Sequence, residues 1–408
     1  INTHLLKKFF AQCKLFLKFQ SYKNISNKAV DSALNNIKSN NKVIGIPRAI
    51  SYYNNFPFYY GFFKALGYEV VLSDKTTTSI INSGSKYLVS DTCFPIKVYV
   101  GHLVNLLEKG IKTIFVPSIQ SVDFKINNCS KVRGLPEIIR NVINEEFTMI
   151  EPTLDKTENL GIKDFCKDTA TQLGIYDESL IAQALQEAWS YYDKFLDLTH
   201  QGHTYEQALD CVINNKEPEM LIKTKDYEVS VVVMAHGYNL FDERISLNLL
   251  KKLEQMNVKA YSGLNVKAED AEKAITELGE IRYWANELDL TGTAGHYLLN
   301  HEVDGIIALS AFGCGPDSLM VDEIAYHCRD LNVPLIHLTI DEHTGEAGFV
   351  TRLEAFVDMM IRRKRLEKIK PQIRTDKQNS GNTEKIINYT NIKKFRKQTT
   401  ETKEVEAQ

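Results

Sequence analysis

The sequence predicts an α/β protein with two blocks of mostly parallel sheet and a helical stretch between them. Three observations carry this. Residues 42–150 alternate short apolar runs with amphipathic stretches, residues 226–368 do the same, and across 151–225 the strand signal fades. A strand, a helix and another strand in that order need a crossover, and crossovers produce parallel sheets covered on both faces. The length of 408 residues is enough for roughly two or three domains with sizeable cores.

In the first block, residues 42–47 read as a strand and 52–66 as an aromatic-rich helix stopped by Gly67. Residues 69–73 form a second strand and 86–89 a short third one. A helix over 95–109 carries Val98, Leu103 and Leu106 on its apolar side and ends at Gly110. Residues 113–117 make the next strand and 135–146 the next helix. Between them, 118–129 reads as a loop.

The insert of 151–225 holds helices over 178–197 and 205–213, with Cys166 and Cys211 among apolar neighbours and read as core residues. The second block opens with a strand over 228–235 that turns at His236 and Gly237. An amphipathic helix over 241–256 follows through Ile245, Leu249, Leu250 and Leu253. Further strands fall at 258–261, 304–310 and 333–339, and a helix at 344–368. Met320, Ile324 and Cys328 recur at helical spacing, which makes Cys328 a core cysteine.

Residues 1–41 place Leu5, Phe9, Phe16 and other apolar residues at helical spacing among lysines, and the first acidic residue is Asp31. This reads as a basic amphipathic helix packed on its own protein, with a membrane surface as the alternative. The chain starts at Ile1, which leaves room for residues or a domain before it. Residues 369–408 read as a disordered polar tail. A net charge of −3 gives no bulk attraction for nucleic acid or membrane. There is no run of about 18 apolar residues to span a bilayer. Seven scattered cysteines without a secretory signal indicate reduced thiols and a cytoplasmic location.

Ligands of open parallel sheets bind beyond the carboxyl ends of the strands. Those ends offer Arg48, the segment 90–95, the loop 118–129, His236, Cys314 and the segment 341–346. Cys93, Cys129 and Cys314 therefore fall on the ligand-binding edge. Pro316 and Pro95 suit the first turn of a helix, so Cys314 and Cys93 each sit at a helix start. The helix dipole there favours a lowered thiol pKa and a better metal ligand. Three thiolates from separate loops suit an iron–sulfur cluster or zinc. No Cys-x-x-Cys pair occurs, and structural thiols are the competing reading.

A combination of motifs sharpens this. Ile44-Gly45-Ile46-Pro47-Arg48 is followed by Asp91-Thr92-Cys93-Phe94-Pro95, then Lys97 and Gly101-His102. The second block has Ala311 to Ser318 around Cys314, and Asp341-Glu342-His343-Thr344-Gly345-Glu346 followed by Thr351-Arg352. Over residues 42–366 the chain resembles the activase-related proteins of the 2-hydroxyacyl-CoA dehydratase and double-cubane cluster superfamily. The resemblance implies two flavodoxin-like, Rossmann-like domains facing a shared cleft. It implies a [4Fe-4S] or double-cubane iron–sulfur cluster on Cys93, Cys129 and Cys314. Relatives tend to carry proline after the middle cysteine, where this chain has Ser130.

The resemblance further implies oxygen-sensitive, low-potential electron transfer in anaerobic metabolism. The electrons come from an ATP-dependent iron–sulfur activator, and relatives work as paired subunits. No Gly-x-x-x-x-Gly-Lys-Ser/Thr loop is present, so the ATPase is a partner or an upstream domain. Near the expected site, Arg48 suits an anionic substrate group or a carboxylate at its strand end. Asp341, Glu342, His343 and Glu346 are candidate acid–base groups. Equally, Asp341 or Thr344 can cap a helix that Glu346 supports. His236 reads as a structural hydrogen-bonding group on the same edge.

Overall fold

A computed structural model describes residues 42–89, 91–220 and 226–378, the last of these from 368 on by backbone alone. Segment 1–41 with Cys13, Ser90, and 379–408 of the tail lie outside the described residues. The described residues to Met360 form one compact unit, and those from Ile361 a second.

The first block runs β1 (Val43–Ile46), α1 (Ser51–Ala65), β2 (Glu69–Leu72), α2 (Thr78–Tyr87), α3 (Phe94–Glu108) and β3 (Thr113–Phe115). It continues through β4 (Ser118–Asp123), β5 (Ile126–Asn127), α4 (Ser130–Arg133), α5 (Leu135–Val142), β6 (Thr148–Ile150) and β7 (Thr153–Asp155). Helices α6 (Ile162–Gln172), α7 (Glu178–His200) and α8 (Tyr205–Ile213) make the helical stretch. The second block runs β8 (Val229–Met234), α9 (Gly237–Leu240), α10 (Leu249–Gln255), β9 (Val258–Tyr261), α11 (Ala268–Leu278) and α12 (Thr293–Leu299). It closes with β10 (Gly305–Ala311), α13 (Gly315–Asp330), β11 (Leu335–Ile340) and α14 (Glu346–Gln378).

Two all-parallel sheets result, in the orders β2-β1-β3-β6 and β9-β8-β10-β11. Counted within each block, both are second-first-third-fourth, the flavodoxin-like order, whose ligand crevice opens beside the first and third strands. A small mixed sheet, β5-β4-β7, stands apart from both. The larger apolar core joins α1 to α6, α7 and α8, with Phe62, Phe63, Phe115, Phe165 and Phe195 buried in it. Gly61 allows α1 to approach α7 so closely that an added methyl would lie 2.9 Å from Ala188 Cα. A second core lies under β8, β10 and α13 and contains Ile306, Ala308, Met320, Ile324 and Cys328.

Several local expectations are corrected. Residues 78–87 are helical where a strand was expected over 86–89: Thr77 caps the helix by accepting from the Ile80 amide at 3.2 Å. The expected loop 118–129 contains β4 and β5, because a distant segment, β7, supplies the pairing edge. The expected helix over 241–256 survives only as α10. Asp242 Oδ1 accepts from the amides of Arg244 and Ile245, and Leu247 and Asn248 then take positive φ of 51° and 57°. At the other end, α14 runs past 368 to Gln378, since elongation adds one bond per residue once a helix exists.

Candidate metal centre

Strands β8 and β10 are parallel neighbours, with Val233 opposite Ile307 and Met234 opposite Ala308. The chain leaves β8 at His236 and leaves β10 through Gly313, whose φ of 74° permits the sharp turn, to reach Cys314. His236 and Cys314 are thereby brought side by side at the carboxyl ends of adjacent strands. Cys314, Cys93 and Cys129 all occupy the residue before a helix, α13, α3 and α4 respectively. Each has extended backbone angles, and the sulfurs of Cys93 and Cys314 face the amides of Ile96 and Asp317 in the first turn of their helices. All three are half-buried.

Three sets of contacts hold the first block against the second near these positions. One turn into α3, Lys97 Nζ meets Glu342 Oε1 at 2.5 Å. Just before Cys129, the Asn127 amide donates to Tyr283 O at 3.1 Å and the Ala285 amide donates to Asn127 O at 3.0 Å. From α1, Asn54 Nδ2 donates to Asp289 at 2.9 Å and Tyr53 donates to Asp242 at 2.8 Å. Asp289 lies in a single π-helical turn, Leu288–Gly292, an irregularity that frequently marks functional sites.

The thiols form one electrostatic group. Burial raises the Cys93 pKa, and Cys129 adds to the rise while Lys131 opposes it. Burial pushes the Cys314 thiol far up, with Asp317 next and Cys129 a smaller contributor. The expected lowering by the helix dipole is thus overturned at Cys314: loss of water and a neighbouring carboxylate outweigh it. The Tyr238 hydroxyl is held protonated by burial, then by Asp317, Cys314, Cys129 and Cys93, so it lies within electrostatic reach of all three sulfurs. Bare thiolates are disfavoured here, and a bound cation is what would stabilise them.

Beside Cys314, Nε2 of His236 lies 2.6 Å from Oδ1 of Asp317, and both side chains are buried. The His236 ring stacks on Tyr238 with centroids 4.7 Å apart. Burial pulls the His236 pKa down, but Asp317 and then Asp289 more than offset it, so the net shift is upward. Among the described residues, donor atoms of His236, Cys314 and Asp317 all lie within 4.8 Å of one another. The site therefore offers sulfur, nitrogen and oxygen donors, a set that accommodates iron or zinc.

The other expected site residues are placed as follows. Arg48 bonds to Ser73 through its amide (2.9 Å) and Nε (2.7 Å) and to the Tyr52 hydroxyl at 3.2 Å. These bonds pin the end of β1 to the end of β2. Glu342 is half-buried in its pair with Lys97; burial alone would raise its pKa, but Lys97 reverses that and lowers it. Asp341 closes a tight turn by accepting from the His343 amide and the Thr344 hydroxyl, and His343 is exposed. Glu346 is exposed and pairs with Lys252 at 2.7 Å. Cys166 and Cys211 lie in the larger core and Cys328 in the smaller one, as expected.

Asp317 and Tyr238 were not singled out from sequence. Asp317 stands three residues after Cys314, and a helix begun at Cys314 puts both at one helix end; that spacing was the available signal. Tyr238 carried none.

Comparison with known families finds a match over the first part of the chain. The model described as the CoA enzyme activase uncharacterised domain covers residues 43–264, more than half of the chain. No curated protein matches the chain.

Proposed function

Because the chain belongs to the family described as the CoA enzyme activase uncharacterised domain, we propose that it is an iron–sulfur protein related to 2-hydroxyacyl-CoA dehydratase subunits and double-cubane proteins. Cys93, Cys129 and Cys314 hold the cluster, and an ATP-hydrolysing activator protein or domain supplies it with low-potential electrons. The observation that carries this reading is the grouping of three half-buried thiols, drawn from both sheet blocks and electrostatically linked through Cys129 and Tyr238. When bound, such a cluster supplies one-electron chemistry at low potential for reductive or radical steps on a small substrate. The helix starts at α3 and α13 present positive dipole ends toward an anionic group. The stacked rings of His236 and Tyr238 would offer hydrogen-bond donors at its edge.

A zinc site is the second reading, favoured by the mixed donor set of Cys314, His236 and Asp317. Anaerobic purification with iron, acid-labile sulfide and zinc analysis separates the two. A brown protein containing iron and sulfide in similar amounts supports the cluster. A colourless protein with zinc and no sulfide overturns it.

A further inference from the structure

We propose that Asp317 provides the fourth protein bond to the cluster, through a carboxylate oxygen on the iron that three cysteines leave without a thiolate, and that His236 positions that carboxylate. The inference rests on the cluster reading above.

Asp317 is 1% exposed, and its polar neighbours are themselves metal-ligating groups, the His236 imidazole and the Cys314 thiol. Buried carboxylates are paired or coordinate a cation, and this one stands among groups that can do both. The ionic contact with His236 engages Oδ1 at 2.6 Å. Asp317 belongs to the first turn of α13, directly after Cys314, and one of its oxygens comes within 4.8 Å of both the Cys314 sulfur and a His236 nitrogen. A thiolate and a carboxylate at that separation, away from water, repel one another unless a cation lies between them.

The neighbours favour the carboxylate over the imidazole as the ligand. The near nitrogen of His236 is already directed at Asp317, and its ring is held flat against Tyr238. An outer residue that grips a ligating side chain is the usual way a metal bond is oriented. A carboxylate oxygen is also a harder donor than sulfur, which would make the iron it holds distinct from the other three.

The test is Mössbauer and EPR spectroscopy of anaerobically loaded protein, wild type against Asp317→Asn and Asp317→Glu. In the wild type, one iron in about four should give a separate Mössbauer component. Asp317→Asn should lose that component, with about a quarter of the iron, and after one-electron oxidation by added ferricyanide yield the EPR signal of an oxidised three-iron cluster, while Asp317→Glu retains it. Unchanged iron content and an unchanged spectrum in Asp317→Asn overturn the inference and leave the cluster reading intact. A wild-type protein without iron and sulfide overturns both. Should Asp317→Asn fail to fold, proton ENDOR on reduced wild-type protein, compared in ordinary and in heavy water, decides. The absence of a strongly coupled exchangeable proton fits a carboxylate ligand, and its presence identifies bound water and overturns the assignment.

Discussion

Lys97 and Glu342 meet at 2.5 Å across the two α/β blocks, with side chains only 5% and 20% exposed. Lys97 lies one helical turn beyond Cys93, so this ion pair ties the start of α3 to the segment that follows β11. Removing one partner of a buried pair leaves an uncompensated charge, which costs more than the pair itself contributes. Lys97→Met is expected to destabilise the fold by about 2–4 kcal/mol in urea unfolding. A loss below about 0.5 kcal/mol, the scale of an exposed pair, would contradict the clasp.

His102 is fully buried and takes part in a polar chain. Its Nδ1 is 2.9 Å from Ser73 Oγ and its Nε2 is 2.8 Å from Thr76 Oγ1, which in turn donates to Asp242. Burial, with help from Arg48, lowers its pKa to about 3. The folded state therefore refuses a proton that the unfolded chain takes up near its ordinary pKa of about 6.5. Stability from this group is complete above that value and is lost as pH falls from about 6.5 toward 3. Between pH 7 and pH 5 the loss should be about 1–2 kcal/mol. His102→Gln should flatten the slope; an unchanged slope in that variant would remove His102 as its source.

Helices α2 and α3 cross with almost no space between their backbones. A methyl group on Gly84 would fall 1.9 Å from Lys97 O, and one on Gly101 would fall 2.1 Å from Ile80 O. Neither obstacle is a flexible side chain, so the helices themselves must separate. Gly84→Ala is expected to cost about 3 kcal/mol. Because the displaced turn of α3 begins at Cys93, iron loading should fall with it. A variant of normal stability and normal iron content would show that the crossing tolerates expansion.

The cysteines divide by location. Alanine at Cys93, Cys129 or Cys314 should remove most of the iron, whereas Cys166→Ala and Cys328→Ala should retain it. The latter two, buried among apolar side chains, should show only a modest loss of stability, about 1–2 kcal/mol. Iron content by anaerobic metal analysis is the measurement. Full retention in both Cys93→Ala and Cys314→Ala would end the cluster proposal.

The sequence by itself determined the alternating strands and helices of both blocks. It also determined that Cys93 and Cys314 open helices, through Pro95 and Pro316, and that Cys166, Cys211 and Cys328 face cores. These are local properties: the period of an apolar pattern, or a ring that fits only a helix's first turn. Tertiary structure decided what depends on segments distant in sequence. The β4 strand exists because β7 pairs with it, and the helix expected from 241 is broken because Asp242 bonds its own turn and Tyr53 of the first block. His236 gained its partner Asp317 only because β8 and β10 are neighbours, and Glu342 became a structural clasp only because Lys97 lies across the interface. The thiol pKa illustrates the difference best. A helix start predicts a lowered value from sequence, but burial imposed by the fold, with the Asp317 carboxylate three residues on, acts through desolvation and short-range charge, and at Cys314 these win.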